Sequence, residues 1–300
     1  MFVKNFEHLL QLVKEMPCKK IAVAAADNEE VLHVVALAEA EGLGDFILIG
    51  DSDSIKKIIL DHQYTIKSEI VHEPGHREAA EKAVAMVISG EAGTVMKGML
   101  HSSVFLKAVL SKEKGLNVGR QITQVSLMEK EDGNGLMLLT DCAISVAPDL
   151  MGKKGILENA VDLARGLGYD TPKAAAIASL EVVNPAMQDT VDAALLTVMA
   201  SRGQIKNCIV DGPFAFDNAY SLEAARIKGI DSPVAGHADI LLMPDLTVGN
   251  AVSKAISYVG KKTLIAATVG AKVPVIFTSR TESDMGKLYS IALASYLVNS

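Results

Sequence analysis

Residues 273–297 read VPVIFTSRTESDMGKLYSIALASYL, a strand, a turn and a helix. Thr278, Ser279 and Ser283 supply hydroxyls at the helix start, and Arg280 stands among them. A helix N-terminus carries unpaired N–H groups and positive potential, so it attracts anions. A guanidinium adds a planar fork suited to phosphate. The bland alternative is an ordinary capped helix with a surface arginine. Three further strand-to-helix turns carry polar residues. VMKGMLHSSVFLKAVL (95–110) places Lys97 and Lys107 around a turn that also holds Ser102 and Ser103. NCIVDGPFAFDNAYS (207–221) ends a strand at Asp211 and turns at Gly212-Pro213, leaving Asp211 and Asp217 as bases or as caps. ILLMPDLTVGN (240–250) joins a strand to a helix through Asp245, Thr247 and Asn250. There Gly249 lets backbone approach a ligand closely, or simply completes a capped loop. No GxxxxGK[ST], GxGxxG or GxSxG run occurs, so a P-loop, a dinucleotide fingerprint and a nucleophile elbow are excluded. The 3 Cys form no CxxC pair, and no metal is expected. His8, His33, His62, His72 and His76 read as structural or solvated.

The elements that would position these residues alternate short apolar runs with longer amphipathic stretches. Strands are expected at 19–26, 45–50, 68–73 and 94–98, then at 173–179, 207–212, 238–245, 263–268 and 273–279. HREAAEKAVAMVISG (76–90) and DTVDAALLTVMASRG (189–203) are typical of the helices between them. This is the βαβ pattern of a mostly parallel α/β sheet. Residues 121–146 break it as a hairpin around EDGNG, a plausible junction between two α/β domains. Small-molecule sites in such sheets lie beyond the carboxyl ends of the strands, and a cleft between two domains is a common place for them. The 300 residues are 49% hydrophobic and 22% charged, enough apolar material for real cores. A net charge of -7 and a pI near 5.5 argue against a nucleic-acid binder. Mean hydropathy is high at +0.27, yet every apolar run is interrupted before it could span a membrane. The N-terminal stretch, with Glu7 and Glu15 in its apolar pattern, reads as an amphipathic helix and not as a signal peptide. Cys18, Cys142 and Cys208 lie far apart, which suits a reducing cytoplasm.

The order MKGMLHSS…LKAVL, EVVNPAMQDTVDAA, RGQIKNCIVDGPFAFD, SPVAGHADILLMPDLTVGN and PVIFTSRTES…SIALA resembles the phosphate acyltransferases over essentially the whole chain. The versions VVNPAMQDTVDAA and VDGPFAFD are similar to the butyryl branch. That resemblance implies two doubly wound domains with a central cleft, like isocitrate and isopropylmalate dehydrogenases. Expected domains are 1–120 plus 281–300, and 121–280. It implies a reversible reaction, acyl-CoA plus phosphate giving acyl phosphate plus CoA, with coenzyme A as a substrate and no bound cofactor. It also implies a homodimer or higher homo-oligomer, with no nucleic-acid or membrane partner. The family's catalytic Ser-Arg pair falls on Ser279 and Arg280. The carboxylate base of the acetyl branch would fall on Gly286, and Asp284 is the nearby acid, two residues early. On a helix that shift rotates a side chain by about 200°. Asp284 therefore reads as a helix cap against its reading as the base, with Asp211, Asp245 or no protein base as alternatives. Lys107 stands nearest to an arginine of the acetyl branch. Lys97, Ser102, Lys107, Asp211, Thr247, Asn250 and Ser283 are the expected phosphate and CoA contacts. Rivals are an NAD-dependent decarboxylating dehydrogenase on the same fold and a non-catalytic CoA-binding protein.

Arg280→Ala and Arg280→Lys are both expected to lose most activity, because lysine keeps the charge but not the fork. A kcat/KM near normal in Arg280→Ala would remove Arg280 from the site.

Overall fold

The surplus of Ala, Val, Ile and Leu is consumed by parallel strands covered on both faces. The structure, a computed structural model, describes residues 1–17, 19–277 and 282–299. The chain divides into two units, one of Phe6–Arg120 with Ile265–Ser300, the other of Met1–Asn5 with Gln121–Leu264.

The first unit opens with α1 (Phe6–Glu15), β1 (Ile21–Ala24), α2 (Glu29–Ala40), β2 (Phe46–Gly50) and α3 (Ser52–Asp61). It continues with β3 (Glu69–His72), α4 (His76–Ser89), β4 (Thr94–Lys97) and α5 (Ser102–Val109). The sheet order is β3-β2-β1-β4, all parallel, with Ile21 beside both Phe46 and Thr94. β1 and β2 are buried at every position, whereas edge strand β3 is half exposed. Ile47, Ile49 and Val95 pack with Ala83 and Val84 of α4 and Phe105 of α5. α1 buries Phe6, Leu9, Leu10 and Val13 on one stripe, as its amphipathic pattern requires. Asn28 and Asp51 cap α2 and α3 by accepting from Val31 N and Ser54 N.

The second unit carries β5 (Thr123–Glu129), β6 (Leu136–Thr140), α6 (Leu150–Gly166), β7 (Lys173–Ile177) and α7 (Gln188–Ser201). β8 (Ile209–Phe214), α8 (Phe216–Tyr220), α9 (Leu222–Ile227), β9 (Ile240–Leu242) and α10 (Leu246–Lys254) follow. β5 and β6 form the expected antiparallel hairpin, with Val125 opposite Thr140 and Glu129 opposite Leu136. Its turn uses Gly133 and Gly135 at positive φ, +66° and +119°, which L side chains rarely adopt. Within this unit the strands run β5-β6-β9-β7-β8, parallel from β6 onward. The chain then returns to the first unit as β10 (Ile265–Val269) and α11 (Asp284–Asn299). α11 buries Leu288, Ile291, Leu293 and Tyr296 among ten buried residues, so it is a core helix and not a surface one.

Two expectations differ from this. Residues 273–279 were expected as a strand; the described part makes only single bridges, Val275 with Thr268 and Ile276 with Met96. Those bridges tie the segment to the first unit, which therefore resumes at Ile265 and not at 281. The first five residues belong with the second unit. Val3 N donates to Leu167 O at 2.9 Å, Gly135 N donates to Lys4 O at 2.7 Å, and the Phe2 ring meets Tyr169 edge-on.

Gly98 follows β4 where the chain crosses the end of β1. Its N–H donates to Ala24 O at 2.8 Å, and a Cβ there would lie 2.2 Å from Ala25 O and 2.4 Å from Ala24 O. Gly98→Ala is expected to lose roughly 2–3 kcal/mol of stability, read as a lower urea midpoint. An unchanged midpoint would show that the turn yields.

Candidate functional site

Each unit presents its own cluster at the carboxyl ends of its strands. On the first unit Lys97 ends β4. Its N–H donates to Ile276 O at 3.0 Å, and its Nζ donates to Gly98 O at 3.2 Å. The ammonium also lies 5.6 Å from the Phe277 ring centroid. Phe277 stands two residues before Ser279 in the chain, so Lys97 lies against the segment whose sequence runs on into Ser279-Arg280. Ser279 and Arg280 themselves lie outside the described residues. α5 begins at Ser102 with His101 in the N-cap position, and no side chain caps it. Lys107 sits exposed in its last turn, one helical turn beyond Ser103 and on a different face from Ser102. Its charge is felt at α4: Arg77 first, and Lys114 and Lys107 more weakly, hold the Glu81 carboxyl below its usual range.

The cap of α11 is Ser283, whose Oγ accepts from Gly286 N at 3.1 Å. Asp284, read from the sequence as cap or base, is instead the first helical residue. Its Oδ2 lies 3.2 Å from His33 Nε2 on α2. The reason is geometric: a capping side chain must sit one residue before the helix begins, and Ser283 occupies that position. Around this pair, His62 stacks on Tyr64 at 5.4 Å and its Nδ1 lies 3.6 Å from Glu29 Oε1. Burial first, then the charges of Glu29 and Asp284, push the Tyr64 hydroxyl up. Gly286 is buried, and the neighbouring buried Lys287 ammonium pairs with Glu30.

On the second unit Asp211 has both oxygens engaged, Oδ1 by Gly212 N at 2.8 Å and Oδ2 by the Ser232 hydroxyl. Asp245 caps α10 by accepting from Val248 N at 2.9 Å. Thr247 and Asn250 are exposed on the first turns of that helix, and Asn250 Nδ2 donates to Cys142 O at 3.3 Å. Beside β7 and β8, Lys228 bridges Glu181 and Asp217 and holds both carboxyls below their usual range, chiefly by hydrogen bonding to them. Burial first, then the charge of Asp141, pushes the Cys142 thiol up to about 12; burial raises Cys208 to about 11. Neither thiol ionises near neutral pH, so neither is an activated nucleophile. The third cysteine, Cys18, is outside the described residues. Among the described residues, no three His, Cys, Asp or Glu come together as a metal-binding group. No helix there is long and apolar enough to cross a membrane.

The structure thus gathers the expected contacts in two sets. Lys97, Ser102, Lys107, Ser283 and Asp284 belong to the first unit, and Asp211, Thr247 and Asn250 to the second. The sequence reading missed Asp141, buried immediately after β6, and the buried ion pair of Lys153 with Asp192 at 2.6 Å. An acid directly following the apolar run LMLLT was the available signal for the first. Nothing in the spacing of Lys153 and Asp192, on separate helices, pointed to the second.

This geometry sits on a known framework. The sequence profile of the phosphate acetyl/butaryl transferase family matches residues 60–295, a span that includes every strand end described above except that of β1 and β2. The chain belongs to that family. It is 43% identical over 299 residues to the phosphate butyryltransferase of Clostridium acetobutylicum, covering 99% of both chains. The crystal structure of a branched-chain phosphotransacylase from Enterococcus faecalis matches with a TM-score of 0.83 and 32% identity, over 93% of this chain and 99% of that one. A 4-hydroxythreonine-4-phosphate dehydrogenase from Klebsiella pneumoniae shares the fold alone, with a TM-score of 0.59 and 12% identity over 94% of this chain and 100% of that one.

Because Ser283 already supplies the cap and His33 already receives Asp284, Asp284→Asn is expected to lower kcat about tenfold or less. The acid limb of the pH–rate profile should stay in place. Ser283→Ala should cost about 1 kcal/mol of stability through the lost cap. A fall in kcat of three orders of magnitude in folded Asp284→Asn, with that limb abolished, would make Asp284 the base.

Proposed function

We propose that this protein transfers a short acyl group, butyryl or one of similar size, reversibly between coenzyme A and inorganic phosphate. The observation that carries the reading is the full-length kinship with a phosphate butyryltransferase at 43% identity. Acetyl transfer is the alternative within the family, whose description names both acyl groups.

In the direction of CoA acylation, the CoA sulfur attacks the carbonyl carbon of the acyl phosphate. A C–S bond forms, the C–O bond to phosphate breaks, and phosphate leaves as an anion. The thiol must lose its proton, and at a pKa of about 8.5 only a minor fraction is thiolate at neutral pH. Positive charge near the sulfur raises that fraction. Arg280 serves here and on the departing phosphate, with Lys97 as a second cation. Ser279 donates to the carbonyl oxygen as it becomes negative. Ser102, Lys107, Ser283, Thr247 and Asn250 are the candidates for the remaining phosphate and CoA contacts. Asp211 holds its turn, since both its oxygens are already occupied. Bound phosphate or water accepts the thiol proton, a role favoured by the engagement of Asp211, Asp245 and Asp284 elsewhere. No covalent acyl-enzyme is needed, and the raised Cys142 and Cys208 thiols fit direct transfer in a ternary complex. The enzyme acts without metal or bound cofactor, in the cytoplasm, as a homodimer or larger homo-oligomer.

Phosphate-dependent release of CoA thiol from acetyl-, propionyl-, butyryl- and branched acyl-CoAs tests the reading. The expected order has butyryl-CoA above acetyl-CoA in kcat/KM, by about 10- to 200-fold for each of the two methylenes if an apolar pocket sets the preference. The reverse order would make acetyl the preferred group. Failure to release thiol from any of them, with NADH formed from a hydroxy acid instead, would point to a dehydrogenase.

A further inference from the structure

Thr247 and Asn250 stand on a short helix whose first turn rests on another loop, and that loop is built around one carboxylate. Asp141 directly follows β6 and is 2% exposed. Its Oδ1 accepts from Ala143 N at 2.8 Å and Ile144 N at 3.0 Å. Its Oδ2 accepts from Ser145 N at 3.1 Å and Ser145 Oγ at 2.9 Å. No cation among the described residues pairs with it, so these four donors alone offset the cost of burying the charge. Three successive backbone N–H groups converging on one side chain fix the course of residues 141–145.

That loop is in turn locked to α10 at three points. Leu246 N donates to Val146 O at 3.2 Å. Gly249 lies so close that a Cβ would be 2.2 Å from Asp141 O. Asn250 Nδ2 reaches Cys142 O at 3.3 Å. Thr247 lies between the first two of these anchors, and Asn250 is itself the third.

We infer that Asp141 is a positioning residue for substrate binding, holding the loop against which Thr247 and Asn250 are set. The inference rests on the acyl-transfer reading above. On that reading the group that Thr247 and Asn250 contact is a phosphate, either inorganic phosphate or a phosphate of CoA. Asp141 does not touch substrate; it acts through the loop. Asparagine in its place would turn an NH₂ toward two of the four donors, leaving them without an acceptor while nearly keeping the shape.

The test varies phosphate at saturating butyryl-CoA, then butyryl-CoA at saturating phosphate, using the full chain. Asp141→Asn is expected to raise one KM about tenfold while kcat stays within about threefold. A rise confined to phosphate assigns the turn to inorganic phosphate, and a rise confined to butyryl-CoA assigns it to CoA; both support the role. In an Asn250→Ala background the same substitution should add less than about threefold, because the two share one loop. Unchanged KM values, with kcat falling only in proportion to folded protein, would overturn the inference. If Asp141→Asn fails to fold, Ser145→Ala decides, since it removes one donor and spares the backbone. A rise of about threefold in one KM is then expected, and no rise overturns the role. Wild-type protein that releases no thiol from any acyl-CoA would overturn the transfer reading and this role with it. Active wild-type protein with unchanged variant KM values would overturn this role alone.

Discussion

At two strand ends a backbone carbonyl occupies the space that a methyl group would need. Gly98 rests on the carbonyls of Ala24 and Ala25, and Gly249 rests on that of Asp141. Gly249 lies inside α10, where alanine would be intrinsically better by about 1 kcal/mol. A contact of 2.2 Å outweighs that preference, so glycine is required despite its conformational cost. Each close approach starts a helix tightly against the end of its own sheet. Ser102 follows one glycine within four residues, and Asn250 adjoins the other. The polar residues at both edges owe their positions in part to these approaches of bare backbone.

The carboxylates near these edges are engaged. Asp211 and Asp141 receive hydrogen bonds on both oxygens, Asp245 caps a helix, and Lys228 holds Glu181 and Asp217. Glu181 and Asp217, held below their usual range chiefly by the hydrogen bonds from Lys228, are weaker bases for it. Cations and hydroxyls stand at the same edges: Lys97, Ser102 and Ser283 on one unit, and Thr247 on the other. This balance suits chemistry in which charge develops on oxygen and leaves on phosphate, more than chemistry that begins with proton abstraction by a side chain.

Periodicity made most of the fold legible. Aliphatic runs such as IAVA and FILIG are buried at every position, and a chain pattern of four to six apolar residues registers that directly. The hairpin was legible because Asp-Gly and Asn-Gly permit its turn. Residues 273–279 misled because VPVIF has strand composition, while the described part finds only one-residue bridges to Thr268 and Met96. Composition reports burial; it does not report how long a partner strand runs alongside. The candidate site was legible where polar residues follow strands, as with Lys97 and Thr247. It was illegible where a role depends on a partner distant in sequence, as when His33 meets Asp284 across 251 residues. Asp284 shows the limit well: its type and place suited a cap, but a cap is defined by where the helix begins, and that is one residue later than Ser283.

The division of the chain has a consequence for synthesis. The peptide passes between the units after Asn5, after Arg120 and after Leu264, so the unit that contains most of the first 120 residues also needs the last 36. α11 contributes Leu288, Ile291, Leu293 and Tyr296 to that unit's interior, and these emerge from the ribosome after the whole of Gln121–Leu264. The unit from Gln121 to Leu264, together with the five leading residues, has all its parts sooner. Folding during translation would therefore run against chain order, with the middle completed first and the amino-terminal half waiting for the carboxyl-terminal helix. A fragment cut at 121 and 264 would lack the opening strand of chain that gives Leu167 O and Gly135 N their partners, so the middle unit is continuous in space but not in sequence.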